Sequence, residues 1–476
     1  MKNFIKSLEL RWTDLAFVAG LIPFAILLIF GQLLMQHQDP AEVAIPLWAA
    51  ILCFVAMLGC WGYYLYEEVW NKREQFNKLN SIVICALTTL VLINIIGIFV
   101  QPSLHVENVI VRMDYEFNGN TYVVGQVIPV ILSISAFHKI FFTFELIAAA
   151  LCIYIGLFVL PKRFTSVSFI KYLGYLFFVF AGVLIIYGYI AEFNKYIGFF
   201  KYVLNISRPE GTDIYHFTVQ SFILHRNAYG MMMMIAVMFA FICHEFTKKW
   251  YFYLLAGFFY VNMIFSLCKT GLLISAVSIF IYVIYRLIVT YKDHKIRNKT
   301  ALISIFSVVI VALLLFGTSY VTKGKVFGKF YSIVDSIIGG GKTLDTRSYI
   351  WDNSYQLMQN GWWVIGRGFG TFNTMLMPMN GTSHNDWVFP SHSSYIGLLA
   401  EGGILFLVAY LALLVYSGYV IFKSFKKQPG LTLTVSLGYL SFIIYSFIET
   451  IHYLAYVFLF PIMVIYFTSQ KEKSAE

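Results

Sequence analysis

The stretch PSHSSYIGLLAEGG, Pro390 to Gly403, passes from a polar loop into an apolar run. The run continues for about twenty residues, long enough for an α-helix to cross the roughly 30 Å hydrocarbon core of a bilayer. A histidine, three serines and a glutamate therefore lie close to the point where the chain meets lipid. The question is why so apolar a chain has these polar groups so close to lipid.

The composition of the whole chain agrees with this interpretation. Hydrophobic residues make up 59% of the 476 residues, charged residues make up 12%, and the mean hydropathy is +0.74. Soluble domains are closer to half apolar and a quarter charged. Helices satisfy their backbone hydrogen bonds inside lipid, so we predict an all-α polytopic integral membrane protein. We expect one transmembrane domain over residues 1–476 and an uncleaved first span.

Apolar runs and basic residues together predict the topology. We count about twelve spans, and lysine and arginine concentrate in alternate connections, as they do on the cytoplasmic side of membrane proteins. Both termini belong to this basic set, so both are expected in the cytoplasm. The span centres lie near residues 25, 55, 91, 150, 182, 237, 259, 281, 310, 407, 440 and 460. The basic connections contain Lys72, Arg73 and Lys78; Lys162, Arg163 and Lys171; Lys248 and Lys249; Lys292, Lys295, Arg297 and Lys299; and Lys423, Lys426 and Lys427.

The other connections are expected outside the cell. The longest covers residues 322–392, about 70 residues, directly before the tenth helix. Loops of this length are usually functional or disordered, and its aromatic residues argue against disorder. We therefore predict a partly helical outer cap. The remaining outer connections are 37–44, 101–126, 192–227, 269–270 and 449–453. The fourth span is the hardest to delimit, because the apolar run 127–160 is too long and is interrupted at 138–139.

Several cations lie on the predicted outer side, against the usual distribution of charge. Arg208, Arg226, Lys269 and Arg347 all come to the outer surface in this topology, together with His392. Guanidinium groups match phosphoryl oxygens, so this set suits a phosphate or pyrophosphate ligand. A simpler interpretation stays open for each residue, since an outer arginine often snorkels or forms a salt bridge and a lysine can anchor a helix end.

Neighbouring residues add detail to this candidate site. Trp351 is four residues after Arg347 and shares its helix face. His384 rivals His392 as the functional histidine, and Ser391 or Ser393 suits the N-cap of the next span. Glu401 lies too far along a straight helix to touch His392, and an intramembrane carboxylate is a functional candidate or a helix-packing group.

No metal, cofactor or nucleic-acid site is expected. The histidines of this region have no standard zinc spacing, and the six cysteines all fall in apolar runs. GGGKT, ending at Thr343, lacks the first glycine of a nucleotide-binding loop. GRGFG, Gly366 to Gly370, resembles a phosphate loop but has no strand before it, so we interpret it as a tight turn with Arg367 in solvent.

These motifs together resemble the O-antigen ligase and O-antigen polymerase superfamily. The ligase signature is a histidine, then Asn, Ser or Gln, nine residues, a glycine, two residues and Gly, Thr or Tyr. His392 and the serine after it lead to Gly403, although Phe406 stands at the last position. His384 fails the same test because Tyr395 replaces the glycine.

Three further segments carry the resemblance, which covers roughly residues 200–420. TRSYIWDNSYQLMQNGWWVIGRGFGTF (346–372) is similar to the family's Arg-x-x-x-Trp segment followed by a Gly-x-Gly turn. SLCKTGLL (266–273) resembles its Ser-Arg-Thr-Gly segment, with Lys269 in place of arginine. SRPEGTDIYHF…HRNAYG (207–230) resembles its Arg-Gly…Asn-x-Ala stretch.

The resemblance implies a metal-independent, inverting glycosyltransferase at the outer face of the bacterial cytoplasmic membrane. Its donor would be an undecaprenyl-pyrophosphate-linked oligosaccharide, its acceptor a glycan, and a chain-length regulator a further partner. His392 would be the general base. Cations would stabilise the pyrophosphate leaving group: Arg208, Arg347, Arg226 and Lys269.

We favour a polymerase of lipid-linked repeat units over a ligase that moves finished glycan to lipid A-core or another acceptor. The composition and Phe406 favour the polymerase, but both would bind the same donor. A transporter or flippase is disfavoured, because the unusual cations gather at one face and no internal repeat is visible.

Overall fold

The structure of the chain is a computed structural model. It describes residues 11–36, 47–71, 78–100, 104–117, 120–132, 136–204, 217–223, 226–292, 351, 354–355, 358–370, 393–449 and 455–475. Eleven of the twelve predicted span centres lie within helices. The twelfth, at residue 310, lies outside the described residues, as does most of the predicted cap.

The helices are, in chain order, α1 Trp12–Gln36, α2 Leu47–Leu65, α3 Lys78–Val100, α4 Ala136–Ile153, α5 Phe169–Ala191, α6 Phe193–Leu204, α7 Arg226–Thr247, α8 Tyr251–Ser266, α9 Lys269–Lys292, α10 Trp362–Ile365, α11 Ser394–Phe425, α12 Pro429–Tyr445 and α13 Tyr456–Ala475. A π-helical turn extends α2 to Trp70, and a π-helical segment, Tyr154–Val159, extends α4 to Arg163.

Six stretches of these helices are long and apolar enough to cross a membrane. They lie in α3, in extended α4, and in α5, α7, α9 and α11, while α8 and α12 are apolar but shorter. Length and composition therefore define a polytopic membrane protein.

One β-hairpin departs from the predicted all-α fold. Strand β1, Leu104–Phe117, pairs antiparallel with β2, Asn120–Leu132, where the sequence analysis placed an outer loop and the start of the fourth span. The residues between the strands are Asn118 and Gly119, a pair that strongly favours a two-residue hairpin turn. The hairpin also explains the long apolar run after residue 127, since its first residues belong to β2 and the helix begins only at Ala136.

The outer surface of α5 shows how the bundle meets lipid. Leu176, Val179, Val183, Ile186 and Ile190 are all at least 50% exposed and follow one another at intervals of three or four residues. This spacing puts them on one face of the helix. An apolar stripe of this length would be unfavourable in water and is suited to the acyl chains of a bilayer.

Helix α7 is the centre of the bundle. It packs against α5, α8, α9 and α12, and nearly every side chain from Tyr229 to His244 is buried. A helix that is apolar on all sides can be enclosed by protein or by lipid, and these four neighbours enclose α7. Arg226 is the first residue of this enclosed helix.

One end of the bundle, here called the basic end, carries the predicted cytoplasmic clusters. Arg163 forms an ion pair with Asp14, and Arg11 Nη1 lies 3.5 Å from Glu68 Oε1. Lys471 Nζ donates to the carbonyl of Phe164, the residue after Arg163, at 3.1 Å. The start of α1 and the ends of α2, α4 and α13 therefore meet, as the alternation of basic connections predicted.

Candidate functional site

Five helix ends meet at the opposite end of the bundle. Asn227 Nδ2, at the start of α7, donates to Glu449 Oε1 beyond the end of α12, at 3.2 Å. Ser394 Oγ, at the start of α11, donates to the Glu449 carbonyl at 2.9 Å. Cys268 Sγ, between α8 and α9, lies 3.1 Å from the Tyr445 hydroxyl oxygen. We call these five residues the outer junction, after the side on which the distribution of basic residues predicts these connections.

The turn between α8 and α9 is shaped to fit against α7. Leu267 is left-handed, with φ of 49°, and Cys268 N donates to Ser266 Oγ at 3.2 Å. A Cβ on Gly230 of α7 would lie 2.4 Å from Cys268 Cβ. Glycine at this position therefore lets the turn approach the α7 backbone closely.

Two of the predicted site residues are neighbours in the chain of residues of this junction. Arg226 is the first residue of α7 and precedes Asn227, while Lys269 is the first residue of α9 and follows Cys268. Arg226 and Glu449 both interact electrostatically with the Cys268 thiol, with opposite signs. The structure thus brings the start of α7, the start of α9 and the start of α11 together.

The start of α11 is the first described segment after His392. Ser393 occupies the N-cap position, but its side chain makes no capping hydrogen bond. Ser394 instead fixes this end, since its N–H donates to the Ser446 carbonyl at 2.8 Å in addition to the Glu449 contact. The remaining predicted residues of the site lie outside the described residues: Arg208, Arg347, His384 and His392. Trp351 is described as helical and half-buried.

The segment GRGFG is a tight turn, as predicted, and it packs against α11 where that helix is interrupted. Its glycines Gly366, Gly368 and Gly370 have φ of 76°, 104° and 77°. The N–H groups of Arg367 and Gly368 donate to the carbonyls of Ala400 and Glu401 in α11, at 2.9 and 2.7 Å. We call residues 366–370 the glycine turn.

A break in α11 at Gly403 allows the glycine turn to form hydrogen bonds with this helix. Gly403 has φ of 68° and ψ of −172°, which interrupts the helix. In an unbroken helix, the carbonyls of Ala400 and Glu401 would accept hydrogen bonds from N–H groups one turn further along α11. The break at Gly403 moves those N–H groups away, and the N–H groups of the glycine turn take their place. A Cβ on Gly403 would lie 2.3 Å from the Val364 carbonyl oxygen. The structure thus gives this predicted site residue a role in backbone packing.

Asn94, six residues before the end of α3, contacts the glycine turn and α11 from the other side. It is fully buried; its Nδ2 donates to the Glu401 carbonyl at 3.0 Å, and its Oδ1 accepts from Phe369 N at 2.7 Å. Gly97, one turn later, permits the approach, because a Cβ there would lie 2.9 Å from the Gly366 carbonyl oxygen. Asn94 was not among the predicted site residues, although an amide within an apolar span was an available signal.

Arg367 corrects a prediction. It was expected in solvent, but it is only 1% exposed, and its guanidinium lies 4.4 Å from the ring centroid of Trp362. The contacts of the glycine turn with α3 and α11 place this side chain inside the protein, where the guanidinium lies against the aromatic face of Trp362. Burial lowers the pKa of Arg367 to about 10, so the group is still charged at neutral pH.

The side chain of Glu401 faces a second carboxylate. Glu145 of α4 is 7% exposed and interacts electrostatically with Glu401. Glu145 was not singled out in the sequence, because nothing in its local pattern indicates which helix it faces. Among the described residues, no group of three or more His, Cys, Asp or Glu side chains is arranged to hold a metal ion.

Comparison with known protein families identifies the second half of the bundle. Residues 252–411 match the family model described as O-antigen ligase (Wzy_C). The match begins in α8, includes Lys269 and the glycine turn, and ends within α11 beyond Gly403. No curated protein and no solved structure matches the chain.

The chain is thus a multi-pass membrane protein whose residues 252–411 match the O-antigen ligase family model. This confirms the resemblance noted in the sequence. The family processes surface polysaccharides, and its members are enzymes of the ligase or polymerase type that act on lipid-linked glycans.

Proposed function

We propose that this protein transfers glycan from an undecaprenyl-pyrophosphate donor to a sugar hydroxyl, joining lipid-linked repeat units of a surface polysaccharide. One observation carries the proposal: the matched domain contributes the starts of α9 and α11, and both meet the start of α7 at the outer junction. Those three helix starts adjoin Lys269, His392 and Arg226 in the sequence.

The chemistry of this residue set suits glycosyl transfer without a metal or cofactor. A pyrophosphate leaving group gains negative charge as the glycosidic bond breaks, and Arg208, Arg226, Lys269 and Arg347 would stabilise that charge. His392 would accept the proton of the acceptor hydroxyl. Direct displacement at the anomeric carbon then inverts its configuration.

The two ends of the bundle give the proposed orientation. The basic end would face the cytoplasm together with both termini, since lysine and arginine concentrate on that side. The outer junction would then face outward in the bacterial cytoplasmic membrane. Residues 322–392 would form a cap over it, and its aromatic residues, Trp351 among them, would stack on sugar rings.

Ligation of finished glycan to another acceptor is the second candidate. The matched family model carries the ligase description, which favours this alternative. Phe406 at the last position of the ligase signature favours the polymerase.

The glycan profile of a strain lacking the protein tests both functions. Single repeat units on the acceptor would identify a polymerase, whereas full-length polymer retained on the lipid carrier would identify a ligase. An unchanged profile would exclude both.

The choice of histidine has its own test. Replacing His392 by alanine should leave the amount of membrane-inserted protein unchanged. It should lower the rate of transfer by about a hundredfold or more, because a general base typically contributes about 10²–10⁴-fold to a rate. His384→Ala is the matched control and should retain transfer. Transfer that survives in His392→Ala and is lost in His384→Ala would reverse the assignment.

A further inference from the structure

Glu449 makes two of the three contacts that define the outer junction, with Asn227 and with Ser394, although no sequence motif includes it. It lies four residues beyond the end of α12, and its N–H still donates to the Tyr445 carbonyl at 3.0 Å. The helical path of the chain therefore continues to Glu449. This holds its side chain and its carbonyl in fixed directions.

The backbone around Glu449 joins α12 to α11. The last carbonyls of a helix and the first N–H groups of the next have no partners within their own helices. Here they satisfy one another, because Ser394 donates its N–H to Ser446 and its hydroxyl to Glu449. Ser394 is fully buried, so losing these bonds would be costly. These contacts need only the main chain of Glu449.

The carboxylate of Glu449 makes a separate connection. It accepts from the side-chain amide of Asn227, the residue directly after Arg226. Charged partners make such bonds stronger than bonds between neutral groups. The same residue thus links the helix that begins at Arg226 with the helix that follows His392.

We propose that Glu449 is a positioning residue for transfer, whose carboxylate orients the start of α7 relative to the start of α11 by holding Asn227. This rests on the proposed function, because the groups to be aligned are the pyrophosphate-binding cation Arg226 and the general base His392. An error of about 1 Å in such an alignment can lower a rate about a hundredfold.

An exchange of the two side chains tests the bond itself. Asn227→Asp alone places two carboxylates face to face and should lower kcat about tenfold to a hundredfold. Glu449→Gln alone keeps an oxygen that can accept from Asn227 and should lower kcat less. The double variant, Asn227→Asp with Glu449→Gln, restores one amide and one carboxylate with the direction of the bond reversed, and should recover most of the wild-type kcat.

The measurement uses the full-length protein in proteoliposomes, with lipid-linked glycan extracted from a strain lacking it. A thermal unfolding curve for each variant reports folding. Ser441→Ala is the matched control, since it removes a 3.1 Å contact with Ser278 that joins α9 to α12 away from the junction. Its kcat should equal that of the wild-type protein.

The outcomes separate this inference from the proposed function. Recovery of kcat in the exchanged variant supports it. Wild-type kcat in Asn227→Asp, or a folded exchanged variant without recovery of kcat, overturns it. So does a pattern in which only the unfolding temperature moves, because the bond would then be structural. Absence of transfer by the wild-type protein would instead contradict the proposed function.

Discussion

The two ends of the bundle are joined by different kinds of contact. At the basic end, side-chain charges connect the helices, with the Arg163–Asp14 pair only 9% and 1% exposed. At the outer end, main-chain groups make many of the connections: the carbonyls of Ala400 and Glu401 accept from the glycine turn, and that of Glu449 accepts from Ser394.

This difference indicates how each end tolerates change. At the basic end, the connection between helices is made by charged side chains, so removing a buried charge should lower the stability of the fold. At the outer end, main-chain hydrogen bonds join the glycine turn to α11, so those bonds do not require the side chains of Arg367 and Glu401. Substitutions at the basic end should therefore affect the amount of folded protein, whereas substitutions at the outer end should also affect transfer by each folded molecule.

The largest effect on stability is expected at the basic end. Asp14→Asn removes the carboxylate that faces the buried Arg163, and an uncompensated buried charge typically costs about 3–5 kcal/mol. The unfolding temperature and the yield should fall, while transfer per folded molecule stays the same. Arg11→Met is the matched control: Arg11 is 57% exposed, and Glu68 keeps its hydrogen bond from Thr13, so the cost should be below about 1 kcal/mol. Equal losses in the two variants would contradict this view of the basic end.

An intermediate effect is expected at the helix break. Gly403→Ala forces a side chain into a left-handed conformation and against Val364, at a cost of about 1–3 kcal/mol. We also expect lower transfer per folded molecule, because the glycine turn would move. Gly418→Ala in the same helix meets nothing within 4 Å and should be neutral or slightly stabilising. Thermal unfolding measures the change in stability, and the transfer assay measures the change in activity. A fully active Gly403→Ala variant would show that the contact between the glycine turn and α11 does not matter for transfer.

The smallest effect concerns pH and Glu192, which follows α5 at the outer end. Burial alone would raise the pKa of Glu192, but hydrogen bonds from Lys195, Ser221 and Gln220 outweigh it and hold the pKa below its ordinary value of 4.5. Because the folded-state pKa is the lower one, the carboxylate stabilises the protein above pH 4.5, and this contribution disappears as the pH falls through the folded-state pKa.

Unfolding temperatures measured as the pH falls below 4.5 test this. The wild-type protein should lose about 1 kcal/mol relative to Glu192→Gln, since the glutamine cannot gain a proton. Parallel pH curves for the two proteins would mean that Glu192 contributes nothing through its charge.

Much of the fold could be predicted because membrane insertion depends on local hydropathy. The centres of the described spans and the meeting of Arg11, Arg163 and Lys471 at one end followed from apolar runs and basic connections. The turn at GRGFG followed from its glycines. The hairpin was missed although Asn118-Gly119 is a local signal, because an apolar strand resembles part of a membrane helix in hydropathy.

The candidate site was less accessible to prediction. Arg226 and Lys269 were selected as cations on an unexpected side, and in the structure their chain neighbours Asn227 and Cys268 belong to the outer junction. Glu449 and Asn227 were not selected, since their meaning depends on which helix ends face each other. Arg367 was assigned to solvent because nothing local indicates that its turn is pressed against α3 and α11.

By itself, the sequence determined that this chain is a polytopic helical membrane protein with one basic end and an O-antigen ligase-like second half. Those properties are sums over neighbouring residues or motifs of fixed spacing. The tertiary structure alone decided that Asn94 would hold a carbonyl 307 residues away, and that Glu449 would bind the amide next to Arg226. Such pairs arise from the packing of whole helices, which a local pattern does not specify.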